Sequence, residues 1–133
     1  MRALTDPLAR ILISAIFLIS GIQMLMHFDS TAHMLGEKGI PLATVATAIS
    51  ILIEIGGAIM IIIGWQTKLA AAIQFIYLIP VTIMYHNFWA APPQLHDVQQ
   101  VNFLKNLAIM GGLLILATRG AGASSVDAGA SHS

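Results

Sequence analysis

Glu54, His86, Lys105, Asn106, Gln23 and Ser50 are the side chains of this sequence whose types and positions point to chemistry. Glu54 carries the most information. It is the only formal charge between Gly39 and Thr67, in the middle of the apolar run from Leu42 to Trp65. A carboxyl group so placed can exchange a proton, hydrogen-bond a polar headgroup or pair with a cation. Holding it in hydrocarbon costs roughly 2.5 kcal/mol or more on insertion scales, so it has to face protein or water and find a partner. Helical spacing groups the candidates. Thr47, Ser50, Glu54, Gly57 and Ala58 fall on one small, polar helix face. Ser20, Gln23, Met24 and His27 align likewise, as do Thr82, Tyr85, His86 and Trp89, and Asn102, Lys105 and Asn106.

Four apolar segments, at about 8–27, 42–63, 69–89 and 101–118, are available to position these stripes. About 20 residues rising ~1.5 Å each cross a ~30 Å hydrocarbon core. Backbone in lipid must satisfy itself, and runs of this length read as helices rather than barrel strands. Gly36, Gly39 and Pro41 break the first connection, Gly64 to Lys68 the second, and Pro92-Pro93 with Gln94 to Gln100 the third. Pro80 falls inside the third span, where neighbouring helices can accommodate it. The fold class is therefore all-α, an integral-membrane antiparallel four-helix bundle over residues 1–120. The small, polar residues 121–133 read as a flexible tail. Arg2, Arg10, Lys68 and Arg119 gather on one side, so the positive-inside bias places both termini in the cytoplasm. His27, His33, His86 and His96 then lie on the outer side, and His132 in the tail.

Composition supports that class and excludes others. Of 133 residues, 57% are hydrophobic and 9% charged, against about 25% charged in a soluble domain. Zero net charge leaves no footprint for nucleic acid. The absence of cysteine removes disulfide exchange, Cys-ligated clusters and Cys nucleophiles, so any redox role needs a bound cofactor or a partner protein. After Arg2 and Arg10 comes a charge-free stretch from Ile11 to Met26, longer than the usual apolar region of a signal peptide and without a following A-x-A site, so it reads as an uncleaved first span. Phosphate-loop, dinucleotide, zincin and nucleophile-elbow motifs are absent. The histidine spacings match no standard metal-ligand motif, and no metal is assigned.

Each polar stripe also has a plainer reading. Small and hydroxyl residues on a membrane helix serve close packing as well as they line a cavity. Lys105 can snorkel to the headgroups. It does not reach Glu54 easily, since Glu54 lies ~18 Å from the outer end and Lys105 only ~6–9 Å. A direct pair needs a kink or an intervening water.

The ordered features resemble the DoxX family of small bacterial inner-membrane proteins over nearly the whole chain. The resemblance rests on Arg10 followed by Phe17-Leu18-Ile19-Ser20-Gly21-Ile22, and on Glu54-x-x-Gly57 with Gly64 and Thr67-Lys68 ahead of Ala70-Ala71-Ala72. His86-Asn87-Phe88-Trp89, Phe103-Leu104-Lys105-Asn106 with Gly111-Gly112-Leu113-Leu114, and the tail Gly120 to Asp127 continue it. Many members have a lysine near the end of the first span, where this chain has Gln23-Met24-Leu25. The resemblance implies four helices in the inner membrane, with Glu54, Lys105 and Asn106 as the polar positions that matter and His86 behind them. It also implies a link to redox systems, since some relatives are membrane subunits of thiosulfate oxidation with quinone as acceptor. The leading expectation is a redox component that binds a quinone or anchors partner proteins. A small-solute carrier, which would have to oligomerise, and a non-catalytic scaffold or assembly factor are the alternatives. No catalytic residue is assigned.

Overall fold

Helices satisfy the backbone of all four apolar runs, and the computed structural model, which describes residues 1–130, contains no strand among them. The spans are α1 (Arg2–Met26), a second formed by α3 (Ala43–Ile51) and α4 (Gly57–Ile63), a third opening with α5 (Thr67–Tyr85), and α6 (His96–Arg119). Each is long and apolar enough to cross a bilayer. Neighbouring spans run antiparallel, and α6 lies along α5 while touching α1 only lightly. The lipid-facing surface is apolar, with Leu12, Ile19, Leu52, Ile76, Leu104 and Ile115 exposed.

The interior is unusually rich in polar side chains. Among the described residues, nine buried hydrophobic ones, including Phe17, Ile61, Leu78 and Leu113, share it with seven buried polar ones: Arg10, Ser14, Thr47, Glu54, Thr67, Gln74 and Thr82. In lipid, apolar burial between helices gives little driving force, so small residues and interhelical hydrogen bonds hold the bundle. On α1 the buried residues Arg10, Ser14, Phe17 and Gly21 form one seam at i, i+4, i+7 and i+11. A Cβ on Gly21 would lie 2.6 Å from Ile55 Cγ1, so α1 approaches the second span backbone-close there.

Between α3 and α4 the chain makes a π-helical turn, Leu52–Gly56, centred on Glu54. Such turns widen the helix and leave α-type hydrogen bonds unmade. Gln74 of α5 compensates: it is fully buried, and its Nε2 donates to the Ile53 carbonyl at 3.2 Å. Gly57 makes room for it, since a Cβ there would lie 2.5 Å from that nitrogen.

Three local features depart from expectation. The first connection is not simply a loop, because it holds α2 (Phe28–Glu37), a short amphipathic helix that buries Leu35 and exposes His33 and Glu37. The third span leaves regular helix at Tyr85, so Trp89 sits in a separate 3-10 turn (Phe88–Ala90) rather than continuing the α5 stripe. There Trp89 and Phe88 pack edge-on against Phe103.

The third departure is the tail. Residues 121–130 fold back against the bundle and form α7 (Val126–Ala130), with His132 beyond the described residues. The first amides of any helix need acceptors. Gln66, at the N-cap of α5, supplies none from its side chain. Asp127 supplies them instead, accepting from the amides of Gln66 at 2.8 Å and Thr67 at 3.0 Å. Burial pushes the Asp127 carboxyl up, but the Thr67 and Gln66 hydrogen bonds with nearby Arg10 outweigh it, leaving it below its ordinary value of 3.8. Its contribution to docking is therefore complete above that value and is lost as pH falls through the lower folded value. Limited proteolysis of the tail is expected to speed up on acidification below about pH 4, and in Asp127→Asn to lose most of that pH dependence. A wild-type rate flat across this range would contradict the capping role.

Candidate functional site

Glu54 is buried at the seam where α1, the π turn and α5 meet. Its Oε2 accepts a hydrogen bond from the Tyr77 hydroxyl at 3.0 Å. The Ser20 hydroxyl lies against the same carboxyl group, and the Ser50 hydroxyl against Tyr77. The costly carboxyl is thus partnered by neutral hydroxyls. Among the described residues no lysine or arginine pairs with it.

Two adjoining cavities share Glu54 as wall. The larger, about 240 Å³, is lined by Ser20, Met24, Glu54, Tyr77, Tyr85 and His86, with Thr31 and Met34 of α2 over it. The smaller, about 150 Å³, extends from Ser20, Glu54 and His86 toward Phe17, Asn106 and Ile109. His86 caps the end of α5, and its Nδ1 lies 2.8 Å from Gln99 Oε1. With the amide oxygen as acceptor, Nδ1 carries the proton and Nε2 remains an acceptor. Asn106 Nδ2 donates to Thr82 Oγ1 at 3.1 Å, which fixes one side of the smaller cavity. Lys38 packs on the far side of Tyr85: its Nζ lies 5.1 Å from that ring's centre and 3.4 Å from the Met84 carbonyl oxygen.

Of the residues singled out by sequence, Glu54, His86 and Asn106 come together around these cavities, and Ser50 lines an adjoining one with Tyr77. Lys105 and Gln23 do not. Lys105 is exposed on α6 and borders neither cavity, because it lies about 100° around the helix from Asn106, which takes the inward position. Gln23 is exposed because the same step of about 100° separates it from Met24, which lines the cavity in its place. Tyr77, Gln74 and Arg10 are not among the residues that sequence reasoning selects for the site. Tyr77 lies between Ile76 and Leu78 in an apolar run and does not stand out there; its contact with Glu54 is what reveals it. No group of three His, Asp or Glu residues suited to a metal ion occurs among the described residues.

Comparison with known proteins adds the lineage. The DoxX family model matches residues 6–87, more than half of the chain. The inner membrane protein YphA of Escherichia coli (strain K12) is 32% identical over 120 residues, spanning 90% of this chain and 86% of that protein. The inner membrane protein YqjF of the same organism is 30% identical over 130 residues, spanning 96% and 95%. A Surfeit locus protein 4 homolog of Drosophila melanogaster is 33% identical over 72 residues, which are 52% of this chain but 26% of that protein. No solved structure matches the chain. Four membrane-spanning helices, the family match and two inner-membrane relatives of nearly equal length agree: the chain is a multi-pass inner-membrane protein and belongs to the DoxX family.

Proposed function

We propose that this protein is the membrane component of a redox system and holds the ring of a quinone-class molecule beside Glu54. The observation that carries the reading is the buried Glu54–Tyr77 hydrogen bond on the wall of a cavity inside the spans. At about 240 Å³ that cavity is smaller than the roughly 300–1,000 Å³ of a drug-sized site, so it suits one substituted ring, with a lipid tail remaining outside. Its polar groups suit such a ring. Glu54 and Tyr77 together offer an exchangeable proton at one ring oxygen, while His86, steadied by Gln99, offers a second hydrogen-bonding position. Quinones supply two-electron, two-proton chemistry; the chain holds no cysteine, so electrons would come from a partner subunit. On the positive-inside bias, both termini face the cytoplasm and the cavity lies nearer the outer side.

Purification from native membranes in mild detergent, followed by lipid extraction, tests this reading. A quinone recovered at about one per protein or per oligomer, and displaced by a short-chain analogue, is the expected result. Repeated preparations without quinone, showing no binding of the analogue, would overturn it. Solute flux in proteoliposomes that disappears with Glu54→Gln would favour a carrier, and co-purifying proteins with no bound small molecule a scaffold.

A further inference from the structure

The end of the bundle opposite the Glu54 cavities carries its own site. Two open clefts, of about 510 and 410 Å³, lie on either side of a ridge formed by Arg119, Gly120, Ala121 and Gly122. Lys68 lines the first cleft, Arg2 the second and Arg119 both. None of these three cations makes an ion pair or side-chain hydrogen bond among the described residues. Each cleft also carries one carboxylate, Asp127 in the first and Asp6 in the second; both accept from backbone amides, Asp6 from Ala123 at 2.8 Å, and the cations outnumber them in each cleft. Arg10, the fourth cation here, is buried on backbone carbonyls.

The glycines of the ridge bring these groups close. A Cβ on Gly120 would sit 3.2 Å from Lys68 Cε, so the lysine stem lies directly along the ridge next to Arg119. At Gly122 a Cβ would run into the Asp6 carboxylate, so no side chain fits between the ridge and that group. The result is a pair of polar clefts with uncommitted positive charge at the termini of membrane spans, where phospholipid headgroups lie.

We propose that this end binds the headgroup of an acidic phospholipid, with phosphate held by Lys68 and Arg119 and the second cleft, with Arg2, taking a second phosphate when the lipid carries two. The two clefts share Arg119, so a headgroup with two phosphates separated by a short linker engages both at once. Zwitterionic headgroups bring their own cation into the same clefts and are disfavoured.

The full-length protein in mild detergent tests the proposal, with thermal unfolding followed as lipid is titrated into the micelles. Diphosphatidylglycerol is expected to raise the melting temperature more than phosphatidylglycerol, and phosphatidylethanolamine to have little effect. K68Q/R119Q is expected to weaken the apparent affinity for the diphosphate lipid about thirtyfold. K68R/R119K, which keeps both charges, should stay near wild type, as should K38Q at the other end of the bundle. Circular dichroism checks that each variant is folded. Equal stabilisation by the zwitterionic lipid would overturn the proposal, as would unchanged affinity in folded K68Q/R119Q. Inorganic phosphate reproducing the full shift at the same concentration would assign the site to free phosphate and overturn the lipid assignment.

Discussion

Arg10→Met is expected to destabilise the protein by roughly 3 kcal/mol or more, because buried carbonyls lose charge-assisted hydrogen bonds worth about 1.5–3 kcal/mol each, and to empty the membrane of it. Only 1% of the Arg10 surface is exposed, although it is charged and lies in the first span. One terminal nitrogen donates to the carbonyls of Ile62 at 2.9 Å and Ile61 at 3.4 Å, the other to those of Ser124 at 2.7 Å and Ala123 at 3.1 Å. The Ile61 and Ile62 carbonyls belong to the end of α4, where helical donors run out: Ile61 also accepts from the Gly64 amide at 3.1 Å, and Arg10 supplies the further donors. The same guanidinium therefore ties α1, α4 and the tail together. Methionine fills much of the space but takes the guanidinium donor from four carbonyls, of which Ile61 keeps the Gly64 amide. Arg10→Lys should recover only part of the loss, because a single ammonium cannot reproduce the planar fork. Membrane accumulation and melting temperature in mild detergent measure both variants; an Arg10→Met protein as abundant and as stable as wild type would remove Arg10 from this role.

Glu54→Gln should separate function from folding. The amide oxygen can still accept from Tyr77, so stability is expected to stay within about 1 kcal/mol of wild type. The carboxyl group is gone and can no longer exchange a proton with Tyr77, and binding of a quinone analogue should fall by at least roughly tenfold, the effect of losing about 1.4 kcal/mol. Glu54→Ala differs: it removes the carboxyl that accepts from the Tyr77 hydroxyl and leaves a cavity in its place, costing roughly 2–4 kcal/mol. Melting curves and analogue titrations on both variants distinguish the cases. If the glutamine variant is lost from the membrane as completely as the alanine one, Glu54 is a structural hydrogen-bond acceptor and its site role falls.

How far the sequence foretells this arrangement differs from residue to residue. A charge inside an apolar run is visible on inspection, which is why Glu54 stands out. Helical periodicity then places Thr47, Gly57 and Ala58 on its buried face. Periodicity specifies a face but not its neighbour, so it groups Gln23 and Lys105 with residues beside them that turn inward instead. Arg10 is legible only as a charge at the edge of a span, because its acceptors lie more than fifty and more than a hundred residues away. The π turn has no local signature, and with it Gln74 stays hidden: a neutral side chain among alanines and isoleucines means nothing until the carbonyl it serves is known. The tail misleads by composition. Small polar residues look unstructured, yet smallness lets residues 120–125 pass close over Lys68, Asp6 and Arg10.

Arg10 also sets the order in which the protein can be completed. The Ile61 and Ile62 carbonyls are made about midway, but Ser124, the last acceptor, is synthesised 114 residues after Arg10. At about 5–20 residues per second, the first span waits roughly 6–23 s before its guanidinium can acquire the last of its acceptors. Once α4 is made, the nascent bundle carries a half-engaged cation near its membrane boundary until the tail arrives. Insertion of the four spans and closure of the structure are thus separate events. A chain cut short between Arg119 and Ala123 holds every span it needs to cross the membrane and still cannot finish folding.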